Sequence, residues 1–224
     1  MYKAKEIKVS VGEVKVSALL ILPQRAKSML VLAHGAGAGM RHRFMEDVAQ
    51  KLADRLVATF RYQFPYMEKG VKRPDSESVL TASVRAAVVA AKTYADGRAL
   101  FAGGKSMGGR MTSLAAAKQP LEDVRGLIYF GFPLHAAGKP SANRGDHLFD
   151  VTLPMLFLQG SRDALADLTL LKPLCVRLGK RAELFVIDGG DHSFHLLKSS
   201  GRSDDQVLEE TATKVASWIS GLSN

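Results

Sequence analysis

A serine that acts as a nucleophile needs a backbone that presents it, a base that takes its proton and donors for the charge its attack creates. Gly104-Lys105-Ser106-Met107-Gly108 supplies the first. The apolar run Ala99-Leu100-Phe101-Ala102 precedes it with strand character, and Met107 to Lys118, rich in Ala, Leu and Met, follows as a helix. Gly-x-Ser-x-Gly between a strand and a helix is a nucleophile elbow, a strained turn that pushes the hydroxyl out at the C-terminal edge of a parallel sheet. Its glycines are needed because side chains there would collide with the neighbouring strand and helix. Gly104-Lys105-Ser106 also resembles the end of a phosphate-binding loop, but Ala99 stands where that loop needs a glycine, inside the predicted strand. Residues paired in a sheet cannot cradle phosphates with their N–H groups.

Six histidines compete for the base. His192, in Gly189-Gly190-Asp191-His192-Ser193-Phe194, lies just past an apolar strand and before the last helix, among small residues that let the imidazole bend over the sheet edge. His195 is its nearest rival, while His42 and His147 sit in polar stretches and read as surface residues. The orienting carboxylate belongs at another strand end, between serine and histidine in chain order. Asp163, in Gly160-Ser161-Arg162-Asp163, fits; Asp188 reads as a turn residue and Asp191 is badly placed to reach the ring beside it. Oxyanion donors are expected from the backbone N–H of Met107 and from the glycine-rich loop His34-Gly35-Ala36-Gly37-Ala38-Gly39, with Ala36 favoured over Gly37. That loop is not a dinucleotide fingerprint: Met40 or His42 falls where the last glycine should be. No cysteine pair and no His-Glu-x-x-His is present, so no metal site is expected.

These loops require a scaffold, and the chain supplies one. Ile7 to Val11 and Val14 to Leu22 flank Gly12-Glu13 as an opening hairpin. Apolar strands follow at Met29–Ala33, Leu56–Phe60, 99–102, Gly126–Phe130, Pro154–Leu158 and Ala182–Ile187. Helical periods fall between them at Arg43–Arg55, Ser76–Ala95, 107–118, Leu165–Leu178 and Asp204–Leu222, with Pro173 expected to kink or divide the fourth. Alternating strands and helices predict an α/β fold, a mainly parallel sheet covered on both faces, in one domain spanning 1–224.

Composition excludes several classes. The 224 residues are 46% hydrophobic, and no stretch has the roughly 18 apolar residues of a membrane span. No secretory signal is read at the N-terminus, and a single cysteine, Cys175 in a leucine-rich stretch, points to packing and a cytoplasmic location. The net charge of +9 is spread thinly, without basic runs, so neither nucleic acid nor membrane is an expected partner. Oligomeric state is not legible.

With these loops in place the chain resembles the α/β-hydrolase superfamily over essentially its whole length. The nearer likeness is to the compact dienelactone-hydrolase-like branch that includes testis-expressed protein 30 and the hydrolase-like domain of a nonspecific-lethal complex subunit. The matching stretches are His34–Gly37, Phe60–Glu68, Gly104–Gly109, Gly131–His135, Gly160–Asp163 and Gly190–His192. The resemblance implies an eight-stranded sheet with its second strand antiparallel, a Ser106–Asp163–His192 triad and no cofactor. The expected activity is cleavage of a small carboxylic ester or thioester through an acyl-enzyme. The competing expectation is a binding or scaffold protein that keeps the fold without turnover. The stretch from Leu134 to Leu153 has no strong helical period, so no large lid is expected. Phe64, Tyr66 and His135 are candidate substrate contacts, and Lys105, Arg110, His135 and Arg162 could surround the serine with positive charge.

Overall fold

The computed structural model describes residues 1–223. Eight strands form one sheet: β1 (Lys5–Val11), β2 (Val14–Ile21), β3 (Ser28–Ala33), β4 (Val57–Tyr62), β5 (Ala99–Lys105), β6 (Val124–Phe130), β7 (Met155–Gly160) and β8 (Ala182–Ile187). Their order across the sheet is β1-β2-β4-β3-β5-β6-β7-β8. Strand β2 runs antiparallel to both neighbours, and every pairing from β4 to β8 is parallel.

Strands buried on both faces send alternate side chains to opposite layers. Met29, Val31, Ala102, Leu127 and Tyr129 face the layer of α3 (Glu77–Ala95), α4 (Met107–Lys118) and α5 (Leu168–Leu178). Leu30, Leu32, Phe101, Ile128 and Phe130 face α1 (Arg43–Asp54) and α6 (Asp204–Ser223). Burying each Val, Leu, Ile, Met or Phe among them contributes roughly 1.5–3 kcal/mol. α2 (Pro65–Glu68) is a single turn after β4.

One local reading is corrected and another is borne out. Pro173 lies inside a continuous α5, whose buried Leu171, Leu174, Cys175 and Leu178 keep the segment packed although one backbone hydrogen bond is forgone. The stretch before β7 contains a 3-10 helix at Asn143–Asp150, anchored by buried Leu148, and no lid domain is inserted among the described residues. No helix among them is long and apolar enough to cross a membrane.

The topology fixes where chemistry can gather. From β3 the chain passes to β4 on one side and later returns to β5 on the other. Loops leaving neighbouring strands in opposite directions open a crevice at their C-terminal ends. The His34–Gly39 loop and Ser106 both emerge there.

Candidate active site

Ser106 sits between β5 and α4 with φ 51° and ψ −120°, a conformation that L-residues adopt only under constraint. The constraint is close packing of the glycines on either side. A Cβ on Gly104 would lie 2.5 Å from the Ala33 carbonyl oxygen, and one on Gly108 would lie 2.6 Å from the oxygens of both Ala33 and His34. Only glycine lets β5 and α4 press this closely on β3. The Ser106 N–H donates to the Phe130 carbonyl at 3.0 Å, which fixes the turn to β6.

From the loop after β8, His192 brings its Nε2 to 2.8 Å from Ser106 Oγ. Its Nδ1 lies 2.7 Å from Asp163 Oδ2, at the end of β7. The Asp163 side chain is fully buried and the His192 side chain 25% exposed, so the imidazole stays open to a ligand while the carboxylate paired with it does not. Asp163 Oδ1 accepts from the Leu165 N–H at 2.8 Å, and Gln159 Nε2 donates to Oδ2. With the carboxylate accepting, Nδ1 carries the ring proton and Nε2 is free to accept from the serine hydroxyl.

The loop after β3 is braced from behind. Buried His34 donates from Nδ1 to the Gly35 carbonyl at 2.8 Å and accepts the Phe64 N–H at Nε2, 3.1 Å away. Burial pulls its pKa down to about 4, so the ring is neutral, as an accepting Nε2 requires. The Tyr66 hydroxyl accepts from the Gly37 N–H at 3.2 Å. Ala36 is left exposed at the tip, and neither its N–H nor that of Met107 has an acceptor among the described residues. The Met107 N–H is free because the first N–H groups of a helix have no intrahelical partner.

A cleft of about 690 Å³ opens from Ser106 and His192 toward α1 and α6, with Phe44, Met45, Leu165, Phe194 and Leu208 as apolar walls. It corrects three sequence-based expectations. Phe64 and Tyr66 are 0% and 1% exposed, and they support the loop after β3 from inside the core. His135 is 5% exposed, with Nδ1 donating to the Ala136 carbonyl and Nε2 accepting from the Asp167 N–H. None of the three lines the cleft. Of the cations expected around the serine only Lys105 does; Arg162 donates to the Gly189 carbonyl, and Arg110 lies near Glu77 and Arg144.

His147 is not a surface residue. It is half-buried, its Nε2 sits 2.7 Å from Ser113 Oγ, and burial lowers its pKa to about 4. His42 caps α1 and lines the cleft, and His195 pairs through Nδ1 with Asp204 at 2.6 Å. Asp191 Oδ1 accepts the Ser193 and His195 N–H groups and so shapes its own loop. Gln159, Phe44 and Phe194 escaped the sequence reading. Gln159 had a signal, being the lone amide in the apolar strand Met155–Gly160; nothing in sequence marks the two phenylalanines.

Residues 26–220 match the family model described as an alpha/beta hydrolase domain. The chain belongs to that family. Among solved α/β-hydrolase structures, a dienelactone hydrolase from Anabaena variabilis superposes with a TM-score of 0.77 at 21% identity, covering 99% of this chain and 98% of that one. A serine hydrolase without lid from Xanthomonas campestris gives 0.75 at 19%, covering 96% and 95%. An esterase from Pyrococcus furiosus gives 0.77 at 15%, covering 100% and 94%. In sequence, the hydrolase domain is 27% identical over 219 residues to a Mycobacterium tuberculosis protein that carries a provisional phosphoribosyl transferase name. The match takes in 96% of this chain but 46% of that protein, so the chain spans about half the length of the curated relatives it matches.

Proposed function

We propose that this α/β-hydrolase chain is a serine hydrolase acting on small carboxylic esters or thioesters. The observation that carries the reading is the unbroken hydrogen-bond relay from Ser106 Oγ through His192 to Asp163. Ser106 attacks the carbonyl carbon while its proton passes to His192 Nε2, and buried Asp163 holds the imidazolium that forms. Negative charge developing on the carbonyl oxygen is met by the free N–H groups of Ala36 and Met107. Collapse expels the alcohol or thiol with the proton from His192 and leaves an acyl-enzyme. Water then repeats the sequence and releases the acid.

No step calls on a metal or cofactor. The phosphoribosyl transferase name belongs to a protein about twice as long, more than half of which has no counterpart here. The narrower likeness to testis-expressed protein 30 rests on the motif stretches alone, and a cytoplasmic setting rests on the lone buried Cys175.

Hydrolysis of p-nitrophenyl esters tests the proposal. Wild type is expected to release a burst of nitrophenol followed by steady turnover, and Ser106→Ala to lose at least about 10³-fold in rate. No turnover of any ester from acetate to octanoate would favour a protein that keeps the fold for binding alone.

A further inference from the structure

Lys105 is the residue before Ser106, yet its side chain runs into the cleft wall and the residue is only 9% exposed. Its Nζ donates to the His192 carbonyl oxygen at 2.5 Å and lies 5.6 Å from the ring centroids of both Phe44 and Phe194. No other hydrogen-bond acceptor reaches it among the described residues. The space is tight: a Cβ on Gly131 would lie 3.0 Å from Nζ and 3.4 Å from His192 Cε1. An ammonium is a costly way to fill such a space, since burial opposes its charge and methionine would pack without that penalty. What the charge adds is one charge-assisted hydrogen bond and two aromatic faces, each stronger away from water.

The loop carrying His192 has several other ties. Arg162 N–H donates to the Gly190 carbonyl, His195 pairs with Asp204 on α6, and Asp163 holds the ring. None of these reaches β5. Among the described residues, Lys105 makes the only hydrogen bond from that loop to the nucleophile's strand besides the Ser106–His192 hydrogen bond itself.

Resting on the hydrolase reading above, we infer that Lys105 is a positioning residue: its ammonium, held between Phe44 and Phe194, clamps the His192 backbone to the nucleophile elbow and keeps Nε2 within reach of Ser106. Burial draws its pKa down to about 8, with Asp163 and Asp191 pulling the other way. The remaining titratable and charged groups around the cleft are His192 and His195 on the same loop, His42, Arg43 and Asp47 at the start of α1, and Asp204 and Asp205 on α6. Comparison with Lys105→Met separates their titration from that of Lys105.

The test is the rate at which a fluorophosphonate labels Ser106 between pH 6 and 10, which needs no knowledge of the natural substrate. It is measured in wild type, Lys105→Met and Lys105→Arg, each checked by its melting curve. Wild-type labelling is expected to slow above a pH of about 8. The methionine variant should label about tenfold more slowly at pH 7 and show no further decline. The arginine variant, whose charge persists, should recover to within about threefold of wild type and hold its rate to pH 10. A folded methionine variant with the wild-type rate and profile overturns the positioning role and leaves the hydrolase reading intact. If the methionine variant does not fold, an arginine variant that still declines above pH 8 overturns it. Wild type that never labels overturns both.

Discussion

Asp163 Oδ2 receives two side-chain donors, His192 and Gln159, and the second decides how firmly the carboxylate is aimed. Gln159 is fully buried and also accepts the Phe132 N–H at 2.9 Å, so it fixes the end of β7 relative to the chain leaving β6. Gln159→Leu is expected to lower kcat about tenfold with KM nearly unchanged, because the ground-state cleft keeps its shape while the imidazolium loses support. The same variant leaves the buried Phe132 N–H without an acceptor and should cost about 1–3 kcal/mol in urea unfolding. A variant with wild-type kcat would show that Asp163 needs only the Leu165 N–H. That Ser106, Asp163 and His192 meet was legible because each sits in a loop at a strand end, where residue type and chain order together are informative. Phe64, Tyr66 and His135 were misread for the converse reason: they also follow strands, but sequence does not say which side of the backbone a side chain takes. All three turned inward, where hydrogen bonds to Gly37, Ala136 and Asp167 satisfy the polar atoms of Tyr66 and His135.

The elbow works as an element only while β5 and α4 stay pressed against β3. Gly108→Ala places a methyl 2.6 Å from two carbonyl oxygens, neither of which belongs to a flexible side chain. Backbone must therefore move, and the expected loss is about 1–3 kcal/mol with a large fall in activity, read by thermal melts and ester turnover. An alanine variant with wild-type stability would show that the contact relaxes freely. The cleft is likewise made by elements, α1 and α6 closing over one face of the sheet with Phe44, Met45 and Leu208. Such walls favour an apolar acyl group: kcat/KM should rise about fourfold per methylene from acetate toward hexanoate. Leu208→Trp should cut off the longer chains while sparing acetate, and an equal response to all lengths would place the acyl group elsewhere. The helices themselves were read nearly to their ends from apolar spacing. That α1 and α6 pack side by side over the site was not, because pairing between elements far apart in the chain leaves no local pattern.

Taken as a whole, the molecule holds two histidines neutral inside a basic protein. His34 is fully buried, and both it and His147 have pKa values lowered to about 4, chiefly by burial. Between the ordinary histidine value of about 6.5 and 4, the unfolded chain binds protons that the folded chain refuses. Stability is therefore present in full above that upper value and is lost as pH falls toward 4, with His34 contributing up to about 3 kcal/mol. Urea unfolding between pH 7 and 5 should show this decline, and His34→Gln should flatten it; a slope unchanged in the variant would mean that His34 protonates without unfolding the loop it braces. Fold class and the antiparallel second strand were accessible because alternating strands and helices leave few topologies, and the family resemblance chose among them. Burial of individual histidines was not, since His147 sits among polar neighbours in sequence yet packs beside Phe132. The most direct test of the account remains chemical. Wild type and Ser106→Ala are treated with a fluorophosphonate near pH 7.5, and the adduct is located by peptide mass spectrometry. One adduct on the peptide containing Ser106 in wild type, with none in the alanine variant, is the expected result; equal modification of both proteins, or of neither, would contradict it.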